Sequence, residues 1–213
     1  MKATGSGGSA SARIEDGVAG AEGKESLIRE KVRMIKRSPW FEREFPSGLP
    51  APLLPVVVER LRGTAARLAD RLTDVPHDGL TRRSGDSWSI QENVVHLLDL
   101  EPLWQRRIDD LASRRDELTE ADLENRRTHE ANHNAARLEE LLAAFRRARI
   151  GLVRRLEDFP EEKIALTALH PRLRVPMNVV DLAFFVAEHD DYHLARISEL
   201  LREGRRDSDG VHP

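Results

Sequence analysis

There is no cysteine in this chain, which removes disulfides, thiolate nucleophiles and thiolate-bound zinc together. Any metal must be held by imidazole and carboxylate, and the absence suits a reducing, cytoplasmic setting. Long apolar runs are missing too. Nothing approaches the ~20 residues needed to cross a bilayer, and the most apolar segments are interrupted by Pro55, Asp181 or Glu188. A membrane is not an expected partner. Nor is nucleic acid, because 34 basic and 37 acidic residues are interspersed without a basic block and leave a net charge of -3. Sustained apolar/polar alternation, the mark of strands, is nearly absent.

What remains is helical spacing over most of a 213-residue chain that is 39% hydrophobic and 33% charged, enough for one domain with a substantial core. Residues 1–23 are rich in Gly, Ser and Ala, lack the apolar core of a secretory signal, and read as a disordered leader. Residues 24–48 are expected to hold a lead-in helix (24–37) followed by Trp40, Phe41 and Phe45, aromatics that dock on the core as packing. A bundle domain is assigned to 49–204 and a flexible tail to 205–213.

Four stronger helices are expected in that domain. The first, 53–73, carries Leu54, Val57, Leu61, Ala65, Leu68 and Leu72 on one stripe. The second begins at Ser89, where Glu92 three residues later completes a capping box. Pro102 inside it predicts a kink near His96. The third shows Leu138, Leu141, Leu142, Phe145, Leu152 and Leu156 on one side and ends before Pro160. The fourth runs over 178–203, with Gly204 placed for a left-handed cap. The connections 74–88, 114–133 and 159–177 are too long for tight hairpins, so the expected fold is all-α, a four-helix bundle with crossover connections and an N-terminal lead-in helix. A short helix is expected over 119–127.

The fourth helix puts two histidines, His189 and His193, on the same stripe as Leu182, Phe185, Val186, Ile197 and Leu200. Residues four apart stack on one face, so both imidazoles can reach one ion. Two buried rings without partners would cost ~1–3 kcal/mol each, so hydrogen bonds or a metal must satisfy them. His96, flanking Leu100 and Leu103 on the second helix, can supply a third ligand from across the bundle. Three protein ligands leave coordination positions open, as in catalytic metal sites. Glu92, Asp99, Glu188 and Asp190 are candidates to orient the rings from outside.

The stretch Trp88-Ser-Ile-Gln-Glu-Asn-Val-Val-His96-Leu-Leu-Asp-Leu-Glu resembles the DinB/YfiT-like pattern, in which a tryptophan and a capped helix lead to the first metal histidine. The segment from His170-Pro through Val179-Val-Asp-Leu-Ala-Phe-Phe-Val-Ala-Glu-His189-Asp-Asp-Tyr-His193-Leu-Ala-Arg-Ile resembles that family's last helix. The resemblance implies an up-up-down-down bundle, usually a homodimer, with a divalent transition metal, nickel or zinc first, on His96, His189 and His193. It also implies a small-molecule substrate and no single reaction: hydrolases and thiol-dependent S-transferases both occur, so a low-molecular-weight thiol is a candidate cofactor. The leading expectation is a metal-dependent enzyme that activates water or a thiol. The alternative is a non-catalytic metal-binding or stress-associated module.

One competing motif remains. His129-Glu-Ala-Asn-His133 matches H-E-x-x-H, the zinc-protease pattern with Glu130 as base. Its surroundings lack the apolar stripe of a buried helix. The cluster therefore reads either as a surface helix start or as the bundle mouth, with Glu130 or His133 as acid or base beside the metal. His77 and His212 fall in a loop and the tail and are expected in solvent. His170, before Pro171, is expected to cap or to lie at the surface.

Overall fold

The computed structural model describes residues 35–83 and 85–209, with backbone alone at 127, 129 and 207–209. Contacts divide the chain into Met1–Ser38 and Pro39–Pro213, and the second unit holds every element named below. The expected leader, most of the lead-in helix and His212 lie outside the described residues, and 35–39 carry no regular structure.

The first bundle helix is split into α1 (Leu54–Arg62) and α2 (Thr64–Leu72) at Gly63. Helical bonds still cross the break, from Gly63 N–H to Glu59 and from Arg67 N–H to Gly63. The Thr64 hydroxyl, next to the break, donates to Asp190 at 2.7 Å and so ties this point of the helix to the last helix of the bundle. A short α3 (His77–Thr81) follows, with His77 exposed as expected.

The second bundle helix, α4 (Ile90–Ala112), runs through Pro102 without interruption. Its capping box forms as the sequence predicts: Glu92 N–H donates to Ser89 Oγ, and Ser89 N–H to the Glu92 carboxylate. Over 119–127 the expected helix is displaced. Asp122 accepts the amides of Glu124 and Arg126, a side-chain turn that competes with helix nucleation, and only α5 (Arg126–Glu130) forms. The third bundle helix, α6 (Leu138–Glu157), matches expectation.

A two-residue antiparallel pair, β1 (Ala168–Leu169) and β2 (Pro176–Met177), leads into α7 (Val179–Asp209). The start of α7 is tightly specified. Asn178 Oδ1 accepts the amides of Val180 and Asp181, and Asp181 accepts those of Asn178, Gly48 and Leu49. Gly48 has a φ of 72°, which a residue without Cβ adopts at no steric cost. The far end corrects the expected cap: α7 passes through Gly204 in right-handed geometry to Asp209. The ~1 kcal/mol penalty of an interior glycine is too small to stop a helix continued by Arg205 and Arg206.

Cross-helix pairs give the directions. Arg60 meets Glu188 and Arg71 meets Ser198, so α1 and α2 run parallel to α7. Asn93 meets His193 whereas Trp104 meets His189, so α4 runs antiparallel to α7. Arg149 meets Glu101 and Arg155 meets Asp109, so α6 parallels α4. Along the chain (α1/α2, α4, α6, α7) the directions are therefore up, down, down, up, and around the bundle the two parallel pairs, α1/α2 with α7 and α4 with α6, lie side by side. The long connections follow from this, because α4 and α6 are parallel and α6 lies diagonally from α7. Leu61, Phe145, Leu152, Leu182 and Ile197 are fully buried in the core between them. No helix among the described residues is long and apolar enough to cross a membrane.

Candidate metal centre

The antiparallel pairing of α4 with α7 brings His96 against His189 and His193. All three are 5–6% exposed, their ring centroids are 4.6 to 5.3 Å apart, and one nitrogen from each lies within 4.8 Å of the others. No other group of three candidate ligands forms among the described residues.

Two of the rings have partners that fix their tautomers. The Asn93 amide nitrogen donates to the Ser89 carbonyl at 2.7 Å, which turns its oxygen toward His193 Nδ1 at 2.9 Å. His193 therefore carries its proton on Nδ1 and its lone pair on Nε2. The Thr128 hydroxyl donates to Asp99 at 3.0 Å and accepts from His96 Nδ1 at a long 3.4 Å, with the same result for His96. These outer bonds are the means by which proteins aim an imidazole at a metal. The third ring, His189, has a buried Nδ1 without a hydrogen-bond partner. Burial first, then His96 and Arg149, hold its pKa well below the usual histidine value, so it is a neutral donor. Three imidazoles with converging nitrogens, two of them bonded through Nδ1 to Asn93 and Thr128 and the third with its Nδ1 orphaned, fit a divalent transition ion.

All three tryptophans of the chain flank these rings. Trp88 lies 4.7 Å from His96, Trp40 meets His189 edge-on at 5.0 Å, and Trp104 lies 5.9 Å from His189. Trp40 thus packs on His189 as well as on Phe45 and Phe185. Tyr192 adds an edge contact to His193.

Of the acids Glu92, Asp99, Glu188 and Asp190, Asp99 reaches His96 through the Thr128 hydroxyl. Glu92 serves the helix cap and Arg83, and Glu188 pairs with Arg43 and Arg60. Asp190 faces the other way, into a buried ion cluster with Arg149, Thr64 and Glu101. Desolvation outweighs Glu101's pairing with Arg149 and pushes its carboxyl up to about 7.

The H-E-x-x-H segment does not form one helix. α5 ends at Glu130, Ala131 and Asn132 are non-helical, and His133 opens a separate 3-10 turn, His133–Ala135. Glu130 is exposed. His133 is largely covered, and its Nε2 lies 3.4 Å from the same Asp99 oxygen that Thr128 contacts, outside hydrogen-bond geometry. Gln91 holds the His133 carbonyl at 2.6 Å. His170, expected at the surface, is buried beside Phe185 at 5.2 Å.

Sequence reading missed Asn93 and Thr128. Asn93 had a signal: it lies three residues before His96, on the same face of a helix, where a polar residue in a buried turn needs a partner. Thr128 had none, since a long connection delivers it.

The model of the DinB superfamily matches residues 60–197, a span that holds all three histidines. The chain belongs to the DinB superfamily. No curated protein matches it. Among solved structures it is similar to YfiT from Bacillus subtilis, at 17% identity and a TM-score of 0.66 over 76% of this chain and 93% of that one. That protein is described as a probable metal-dependent hydrolase with an unusual four-helix bundle topology. At this identity the likeness establishes the fold, which this DinB-superfamily chain shares.

Proposed function

We propose that this protein is a metal-dependent enzyme acting on a small molecule by activating water or a thiol. The observation that carries the proposal is the set of three buried imidazoles whose nitrogens converge within 4.8 Å, two with their protons drawn outward by Asn93 and Thr128. His96, His189 and His193 would hold a divalent transition ion, which imidazole donors accept without selecting one, zinc or nickel being what the resemblance implies, and three protein ligands leave room for a substrate group. Bound there, the ion would supply Lewis acidity and lower the pKa of a water or thiol.

The chain's own residues supply the rest. Trp40, Trp88 and Trp104 cover the rings and exclude bulk water, which strengthens electrostatic interactions within the site. His133 is the acid–base candidate, because its Nε2 is buried without a hydrogen-bond partner 3.4 Å from Asp99. Through Thr128 the same carboxylate also holds His96, so the proton-handling group and a ligand share one anchor. Glu130, exposed at the end of α5, is less well placed than His133.

The test is elemental analysis of purified protein, followed by chelation and a screen of small ester, amide and thiol-transfer substrates. Near one equivalent of metal and turnover that disappears on chelation and returns on reloading are expected. A metal-loaded protein inert across hydrolytic and thiol-transfer substrates would overturn the enzymatic reading, and a metal-free protein that takes up none would overturn the site.

A further inference from the structure

We propose that Arg107, Arg172 and His170 form a binding site for a small oxyanion, a carboxylate or phosphate group. The site is separate from the histidine cluster: Trp104 stands between them, its ring 5.9 Å from His189 on one side and 5.4 Å from the Arg107 guanidinium on the other. The inference does not depend on the metal chemistry above.

It rests on an excess of buried donors over acceptors. Arg107, on α4, is 2% exposed, and among the described residues its one carboxylate neighbour, Asp110, acts on it through space without a hydrogen bond or a close ion pair. Its Nε donates to the Thr119 carbonyl at 2.9 Å. The nearest acid, Asp110, is committed elsewhere, one oxygen accepting both the amide and the hydroxyl of Thr119 at 2.6 and 2.8 Å and the other facing Arg115. Buried arginines are ordinarily paired, because the charge is costly to desolvate alone.

His170 sharpens the imbalance. Its Nδ1 accepts the Leu173 amide at 3.2 Å, and its Nε2 lies 3.1 Å from Arg107 Nη1. Burial and the two flanking arginines push its pKa down to about 3, so the ring is neutral, with one donor and one acceptor nitrogen. With Nδ1 accepting, Nε2 carries the proton and points it at another donor. Arg172 contributes a further one: its Nη2 is buried without a partner, while its guanidinium lies over Phe41 at 5.2 Å.

An oxyanion resolves all three conflicts at once. Its oxygens would accept from His170 Nε2–H, Arg107 and Arg172, and the planar guanidinium fork matches carboxylate and phosphate geometry. The aromatic rings of Trp104 and Phe185 border the site, so the charge–charge attraction would be little screened by water.

The experiment is calorimetric titration of the full chain, as purified and after chelation, with inorganic phosphate and separately with acetate, chloride balancing the ionic strength. Saturable binding of at least one anion in both metal states is expected, and the preferred anion distinguishes a phosphate from a carboxylate ligand. Arg107→Met and Arg172→Met should each weaken binding about tenfold or more. Arg107→Met risks the fold, so the partly exposed Arg172→Met carries the test. Nitrogen NMR of His170 should show the proton on Nε2 with anion bound. Absence of saturable binding in the wild-type chain would overturn the proposal. So would binding that ignores Arg172→Met and disappears with the metal, which places the anion on the ion, or a His170 proton found on Nδ1.

Discussion

Asn93 and His193, 100 residues apart in sequence, meet at 2.9 Å between amide oxygen and ring Nδ1. Because Ser89 holds the other end of the amide, the contact sets which nitrogen of His193 bears the proton. Asn93→Leu should therefore lower metal affinity ~10–100-fold while leaving about one equivalent bound at saturation. Competition against a chelating indicator measures this. An unchanged affinity would show that the amide does not orient the ring.

A second expectation concerns pH and His170. Its pKa is depressed by burial and the two flanking arginines to about 3 in the folded chain, from the ordinary histidine value of 6.5, so between those values the unfolded chain binds the extra proton. The stability it contributes is present above pH ~6.5 and is lost as pH falls toward 3. By pH 5 the loss from this one group amounts to about 2 kcal/mol. In anion-free buffer, His170→Gln should flatten the fall in urea-measured stability between pH 7 and 5 by roughly that amount. Parallel curves for the two proteins would refute it.

The third expectation tests the buried cluster behind His189. Arg149 is 1% exposed and bonds Glu101 on α4, Asp190 on α7 and the Leu61 carbonyl, tying three other helix segments to α6. Arg149→Met leaves two buried carboxylates without their cation and should cost ~3–5 kcal/mol. Adding Glu101→Gln and Asp190→Asn should restore part of that loss, because neutral amides are cheaper to bury than charges. Denaturant unfolding decides it. A cost below ~1 kcal/mol for Arg149→Met alone would mean that the cluster contributes little.

The sequence carried most of the bundle because its helices are long, amphipathic and well capped: the Ser89–Glu92 box and the Leu54-to-Leu72 stripe are local signals. It also carried the three histidines, since His189 and His193 fall on a core stripe where polar rings need partners. What it did not carry is tertiary. Arg149 lies on the same stripe as Phe145, Leu152 and Leu156, and only the arrival of Glu101 and Asp190 from two other helices makes a core arginine tolerable. Thr128 reaches His96 from a connection without periodicity, and Trp40 reaches His189 from a segment remote in sequence from both helices that carry the histidines. Gly204 misled because an interior glycine and a terminating one look alike until the following residues are seen to stay helical.

The last expectation separates the two histidine sets. A zinc-protease motif requires its two histidines four apart on one continuous helix, so that both rings face a single ion. Here the helix stops at Glu130, Ala131 and Asn132 break the register, and His133 begins a new turn whose side chain faces Asp99. His96, by contrast, shares a buried cluster with His189 and His193. Deleting a ligand removes a metal bond, whereas deleting an outer residue weakens affinity by only ~10–100-fold. His96→Ala, His189→Ala and His193→Ala should each lose most of the bound metal, while Glu130→Gln and His133→Ala should keep about one equivalent at saturation. Where a turnover assay exists, His133→Ala should also lower the rate ~10²–10⁴-fold, the usual contribution of a positioned acid or base. Stoichiometry by elemental analysis across the five variants measures the difference, and metal retained in His96→Ala but lost in His133→Ala would reverse the assignment.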